Sequence, residues 1–100
     1  MPYIVETHHR DNTDDMRSNL RSEHLAYLDE NIKQLLAAGA KLNEDGSIAN
    51  GSFYILNTED LNVAELIMSK EPYVLAGICE HILYTKWRKG YFNYERSILK

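Results

Sequence analysis

The chain is predicted to fold as an α+β domain of β-α-β-β-α-β order, an antiparallel sheet carrying two helices on one face. Three observations predict it. Two runs rich in β-branched and aromatic residues, PYIVET and SFYILN, read as strands. Two segments of helical apolar period, one after each run, read as helices. A final stretch, ICEHILYTKW, supplies a long last strand.

The elements follow in order. PYIVET, residues 2–7, is the first strand, and HHRDNTDD is a polar connection. Asn12 or Thr13 is suited to cap the first helix, with Asp14 and Asp15 in its positive first turn. The periodic pattern carries that helix to about Ala38, where Gly39 is a natural stop. AKL, residues 40–42, begins a second extended stretch, NEDGS is a turn, and Asn50-Gly51 is a tight-turn signal before SFYILN. Asn57 or Thr58 is expected to cap TEDLNVAELIMSK, whose apolar stripe is Leu61, Ala64, Ile67 and Met68. Pro72 ends it and pushes Glu71 towards an extended backbone. YVLAG links to the last strand, residues 78–87. The order is that of the ferredoxin-like split arrangement.

Bulk properties narrow the function. One hundred residues suit one domain, residues 1–100, with residues 89–100 as a C-terminal tail. A net charge of −4 argues against a nucleic-acid binder, although the tail mixes basic and aromatic residues. No apolar run approaches a membrane span, and the N-terminus lacks a secretory layout, so a cytoplasmic location is expected. The last strand is apolar on both sides: Ile78, Ile82 and Tyr84 on one, Cys79, Leu83 and Trp87 on the other. A sheet with one wet face alternates more cleanly, so a second subunit is expected over the far face, with the tail packing on it.

RSEHLAYL, residues 21–28, places a histidine where the helical pattern calls for a core leucine. At about 100° per residue, Arg17, Arg21 and His24 all fall on the face that Leu20, Leu28, Ile32 and Leu35 turn inward. Burying unpaired charge is costly, so the layout requires buried partners or a wet cavity. Inward arginines over a cavity suit a small anionic metabolite. The alternative is a helix that begins late, near Ser18 or Ser22, with the arginines splayed into solvent.

Arg17, Arg21 and His24-Leu25 in RSNLRSEHLAYL, the glycines of AAGAKLNEDGSIANGS and the segment EPYVLAGI recur in that order in a known family. The chain resembles the YCII-related (YciI-like) family over roughly residues 3–88. The resemblance implies a dimeric α/β-barrel of ferredoxin-like subunits and a small enzyme with a histidine–aspartate dyad. Some relatives act in the breakdown of chlorinated hydroxyquinols, and the fold relates them to muconolactone isomerases. His24 stands at the family's histidine, whereas Glu71 stands at its aspartate, one methylene longer.

The resemblance makes His24 the expected acid–base residue, oriented by Glu71, with Arg17 and Arg21 binding a substrate carboxylate or enolate. His9, at the end of the first strand, is expected to line the same cavity as a substrate-binding residue. The expected chemistry is cofactor-independent proton transfer of the isomerase or lyase type on a small anionic or carbonyl-containing metabolite. A non-catalytic dimeric binding module would need the same inward charges. No metal is expected, because His8, His9, His24 and His81 lack ligand spacing. Cys79 has no basic neighbour in sequence and is expected to be an inert thiol.

Overall fold

The computed structural model describes residues 2–97. The first strand, β1 (Tyr3–His9), leads into α1 (Asp14–Glu30), then a 3₁₀ turn (Ile32–Gln34). The β2 (Leu35–Leu42) and β3 (Ile48–Leu56) strands form a hairpin, followed by α2 (Leu61–Ser69) and a one-turn helix, α3 (Pro72–Leu75). β4 (Cys79–Lys86) completes a four-stranded sheet of order β2-β3-β1-β4, antiparallel throughout. This is the expected ferredoxin-like topology. Within the tail expected at residues 89–100, β5 (Tyr91–Phe92) and β6 (Glu95–Arg96) make a small hairpin. Residues 98–100 of that tail lie outside the described residues. Among the described residues no helix is long and apolar enough to cross a membrane.

The register sorts the side chains. Val5 lies opposite Tyr54 and Tyr84, and Thr7 opposite Ser52 and Ile82. These positions face the helices. The core there is Tyr3, Val5, Tyr54 and Leu56 against Ala64 and Met68 of α2, with Leu28 of α1 half-buried beside them. Leu83, one residue out of phase with Ile82 and Tyr84, is 58% exposed on the opposite face.

Several boundaries differ from expectation. The first helix stops at Glu30, not near Ala38. LLAAGA is helical by propensity, yet it pairs along β3 from Leu35 onward, because the free edge of β3 needs hydrogen-bond partners more than alanine needs a helix. Gly39 therefore lies inside a strand and ends nothing. Leu35 and Ile32 leave the helical face, which consists instead of the half-buried Arg17, Leu20, His24, Tyr27 and Leu28. α2 is capped by Asp60, whose carboxylate accepts the Asn62 N–H at 2.8 Å, rather than by Asn57 or Thr58. Pro72 ends no helix in mid-course. It opens α3 at the first helical position, where its missing N–H costs nothing. The expected YVLAG link is therefore largely helical, and the backbone of Glu71 before it is extended, as expected.

The turn of the hairpin is NEDGS, with Gly46 in the left-handed region at φ 88° and Asn43 N–H bonded to Ser47 O at 2.8 Å. Asn50 and Gly51 lie inside β3 and make no turn. Gly51 has a different reason to be glycine. A Cβ there would stand 2.4 Å from the Thr7 carbonyl oxygen and 3.1 Å from Lys41 Cδ. Gly51→Ala is expected to push β1 and β3 apart at the cost of about 1–3 kcal/mol. A urea midpoint equal to that of the parent would show that the close approach relaxes freely.

Candidate active site

α1 begins with a tight entry. Asn12 adopts the left-handed region, φ 61°, and Thr13 stands at the N-cap. The Thr13 hydroxyl donates back to Arg10 O at 2.8 Å instead of capping the helix. One turn later, Arg17 is folded back over this entry. Its Nη2 pairs with the Asp14 carboxylate. Its Nη1 donates to His9 Nδ1 at 2.9 Å, Asn50 Oδ1 at 3.2 Å and Thr13 Oγ1 at 3.3 Å. The guanidinium thus ties α1 to β1 and β3, and its side chain is only 14% exposed.

Two turns from Arg17, the half-buried His24 meets Glu71. His24 Nδ1 is hydrogen-bonded to Glu71 Oε1, and the two side chains are 13% and 2% exposed. Glu71 is the N-cap of α3, and its other oxygen, Oε2, accepts the N–H groups of Tyr73 at 3.1 Å and Val74 at 3.3 Å. A buried carboxylate with both oxygens engaged is a tolerable charge. Among the described residues no hydrogen bond is made to His24 Nε2.

Tyr73 fixes the plane of that imidazole. The two rings stack with centroids 4.0 Å apart and planes 4° from parallel. The Tyr73 hydroxyl donates to Arg17 O at 3.2 Å, and its ring meets the edge of His9 at 6.1 Å and 81°. Burial raises the Tyr73 pKa above that of an ordinary phenol.

Arg17, His24, Tyr73 and His9 line a cleft of about 660 Å³ between α1 and the β2–β3 hairpin. Arg17, Arg21, His24 and Tyr73 stand on its polar side, and Ala38, Ala40 and Tyr54 on its sheet side. Arg21 differs from its predicted place. It is exposed, at the rim rather than in the middle of the inward face, and no ion pair to it occurs among the described residues. On a wheel of about 100° per residue the half-buried Arg17, Leu20, His24, Tyr27 and Leu28 centre on the side away from Arg21, which stands beyond the Leu28 edge of that face.

His9 lies in the cleft wall, 7% exposed, with both ring nitrogens engaged: Nδ1 by Arg17 and Nε2 by Thr7 Oγ1 at 3.4 Å. Burial, then the Arg17 charge, lowers its pKa from 6.5 to about 4. As pH falls below 6.5 the unfolded chain takes up this proton before the folded one does. His9 therefore contributes stability that is complete above pH 6.5 and lost as pH falls through about 4. The expected size is on the order of 1–2 kcal/mol, allowing for screening by water in the open cleft. Urea midpoints of the parent should fall more steeply across this window than those of His9→Asn. Parallel curves would refute it.

Sequence reasoning placed Arg17, Arg21, His24, Glu71 and His9 together, and all but Glu71 line the cleft directly. It missed Tyr73, Asn50 and the Thr7–Ser52 pair, whose hydroxyls lie 2.5 Å apart. For Tyr73 a signal was present, since it stands in EPYVLAGI, a segment that carries the family resemblance. Cys79 has its thiol pushed up to about 11 by burial and is protonated at neutral pH.

The site is thus an imidazole held on a buried carboxylate at the wall of an open cleft, in a ferredoxin-like sheet. The chain belongs to the YCII-related family: the model of the YCII-related domain matches residues 1–88. None of the curated proteins matches the chain significantly. Among solved structures, it is similar to the 5-chloro-2-hydroxyhydroquinone dehydrochlorinase TftG from Burkholderia phenoliruptrix in complex with 2,5-dihydroxybenzoquinone. The TM-score is 0.78 at 22% identity, over 88% of this chain and 94% of the other.

Proposed function

We propose that the chain is a small lyase- or isomerase-type enzyme that moves a proton on a small anionic, carbonyl- or hydroxyl-bearing ring compound. The observation that carries the reading is His24, with Nδ1 on Glu71, its plane on Tyr73 and Nε2 free of hydrogen bonds among the described residues. A carboxylate accepts, so Nδ1 carries the hydrogen and Nε2 is the basic lone pair. This is the tautomer a general base needs, and Glu71 stabilises the imidazolium that proton abstraction creates. Arg21, at the rim, and Arg17, deeper in, bind the substrate's acidic oxygen and the negative charge that develops on it. The sheet wall of Ala38, Ala40 and Tyr54 suits a flat ring.

The likeness to a dehydrochlorinase supports elimination of hydrogen chloride as the first reaction to test. In such a step the base removes a proton, the released electron pair moves into the ring system, and chloride departs with its bonding pair. No change of net oxidation state is involved. The experiment is chloride release from 5-chloro-2-hydroxyhydroquinone, followed with the parent chain and with His24→Ala. Release by the parent and its loss in the variant are expected. Binding without release by the parent would leave a binding module, and neither binding nor release would exclude this substrate class.

A further inference from the structure

We infer that His9 is a positioning residue for Arg17: an uncharged Nε2–H imidazole whose Nδ1 lone pair aims the guanidinium at the cleft. The role rests on the reading of Arg17 as an anion-binding group. It gives the two histidines separate duties, His24 the proton and His9 the acceptor.

The chemistry of the donor decides the tautomer. A guanidinium has N–H groups and no acceptor. Arg17 Nη1 stands 2.9 Å from His9 Nδ1, so that nitrogen must present its lone pair. The ring hydrogen is then on Nε2, which points to Thr7 Oγ1 at 3.4 Å. Thr7 Oγ1 also accepts the Ser52 N–H at 3.0 Å and is hydrogen-bonded to Ser52 Oγ at 2.5 Å, a pair in which either hydroxyl can donate. The direction is fixed from Arg17 through His9 to Thr7, because a hydrogen on Nδ1 would face the guanidinium donor; the two hydroxyls of Thr7 and Ser52 can adapt to it. The edge contact with Tyr73 holds the ring from the side.

Protonation would break this arrangement. The charged groups that face His9 are Arg17 and His24 from α1, Glu71 from the cap of α3 and His8 on its own strand. Only Glu71 favours a cation there. Burial and Arg17 outweigh it and bring the pKa down to about 4, so the ring stays neutral at every pH near 7.

The consequence for Arg17 is orientation. Asp14 holds Nη2, and His9, Asn50 and Thr13 share Nη1. Among the described residues, Nε and one hydrogen of Nη2 have no partner and remain for a ligand. Without the His9 lone pair the fork loses its shortest Nη1 partner and its anchor on β1.

Two measurements test this. Two-bond ¹H–¹⁵N ring spectra of the parent, taken from about pH 5.5 to 8 around the ordinary imidazole midpoint, need no ligand. They should show His9 as a non-titrating Nε2–H tautomer. A His9 that titrates near 6.5, or one protonated on Nδ1, overturns the inference. The second is affinity for 2,5-dihydroxybenzoquinone. His9→Leu is expected to weaken binding about tenfold, the size of one hydrogen bond to a charged group. His9→Asn, whose amide oxygen stands where Nδ1 stood, should restore it to within about threefold. Arg17→Ala should add little to the leucine variant. Equal affinity in the leucine and asparagine variants, or full additivity with Arg17→Ala, overturns the inference. A parent that does not bind this probe counts against the proposed substrate class, and the ring spectra then decide the role of His9. They also decide it if the leucine variant fails to fold.

Discussion

His24→Ala is expected to lower turnover by about 10²–10⁴-fold, the usual contribution of one positioned acid–base group. Affinity for the substrate should change far less, because the proposed reading gives the anionic oxygen to Arg17 and Arg21, which line the cleft. That split separates a proton-transfer role from a binding one. The substitution leaves the Glu71 carboxylate with its two backbone donors, so α3 keeps its cap. It removes the stacking partner of Tyr73 and the Oε1 partner, so some loss of stability is expected, about 1–3 kcal/mol. Kinetics under folded conditions, checked by circular dichroism, decide the matter. A kcat within a factor of two or three of the parent would remove His24 from the chemistry.

Glu71→Gln is expected to cost nearly as much, by a different route. The backbone N–H groups of Tyr73 and Val74 demand an oxygen, so the amide oxygen must take the place of Oε2. The amide NH₂ is then forced against His24 Nδ1, which has to offer a lone pair in return. The ring hydrogen moves to Nε2, and the base facing the cleft becomes a donor. A loss of about 10²–10⁴-fold in kcat follows from the wrong tautomer together with the lost stabilisation of the imidazolium. The cap itself survives, so stability should fall by only about 1 kcal/mol. Glu71→Ala removes cap and orienting group together and should lose clearly more stability than the glutamine variant. Parental activity in Glu71→Gln would show that the carboxylate holds up α3 and does nothing for catalysis.

Much of this architecture is legible in the order of residues alone. The strand-helix order, the hairpin turn at NEDGS and the inward run of Arg17 and His24 are all patterns of short range, and local physics fixes them. The limits of α1 are not legible, because LLAAGA obeys helix propensity until the bare edge of β3 recruits it. Asn50-Gly51 carries a strong turn signal for the wrong reason: the glycine answers to the Thr7 carbonyl on the neighbouring strand. Glu71 is found through the family resemblance and not by spacing, since 47 positions separate it from His24 and only the packing of α3 on α1 brings them together. The neutral state of His9 is invisible as well. It depends on a guanidinium eight residues further along the chain and on a burial that only the assembled sheet creates.

The shared carboxylate of Glu71 has a consequence for incompletely folded copies. One oxygen holds the first amides of α3 and the other holds the imidazole, so a single side chain couples the closure of that turn to the orientation of His24. A molecule in which residues 72–75 have not closed into their turn also lacks an oriented His24. On the proposed reading, copies in which this turn is open are expected to be inactive, because the imidazole they carry is not oriented.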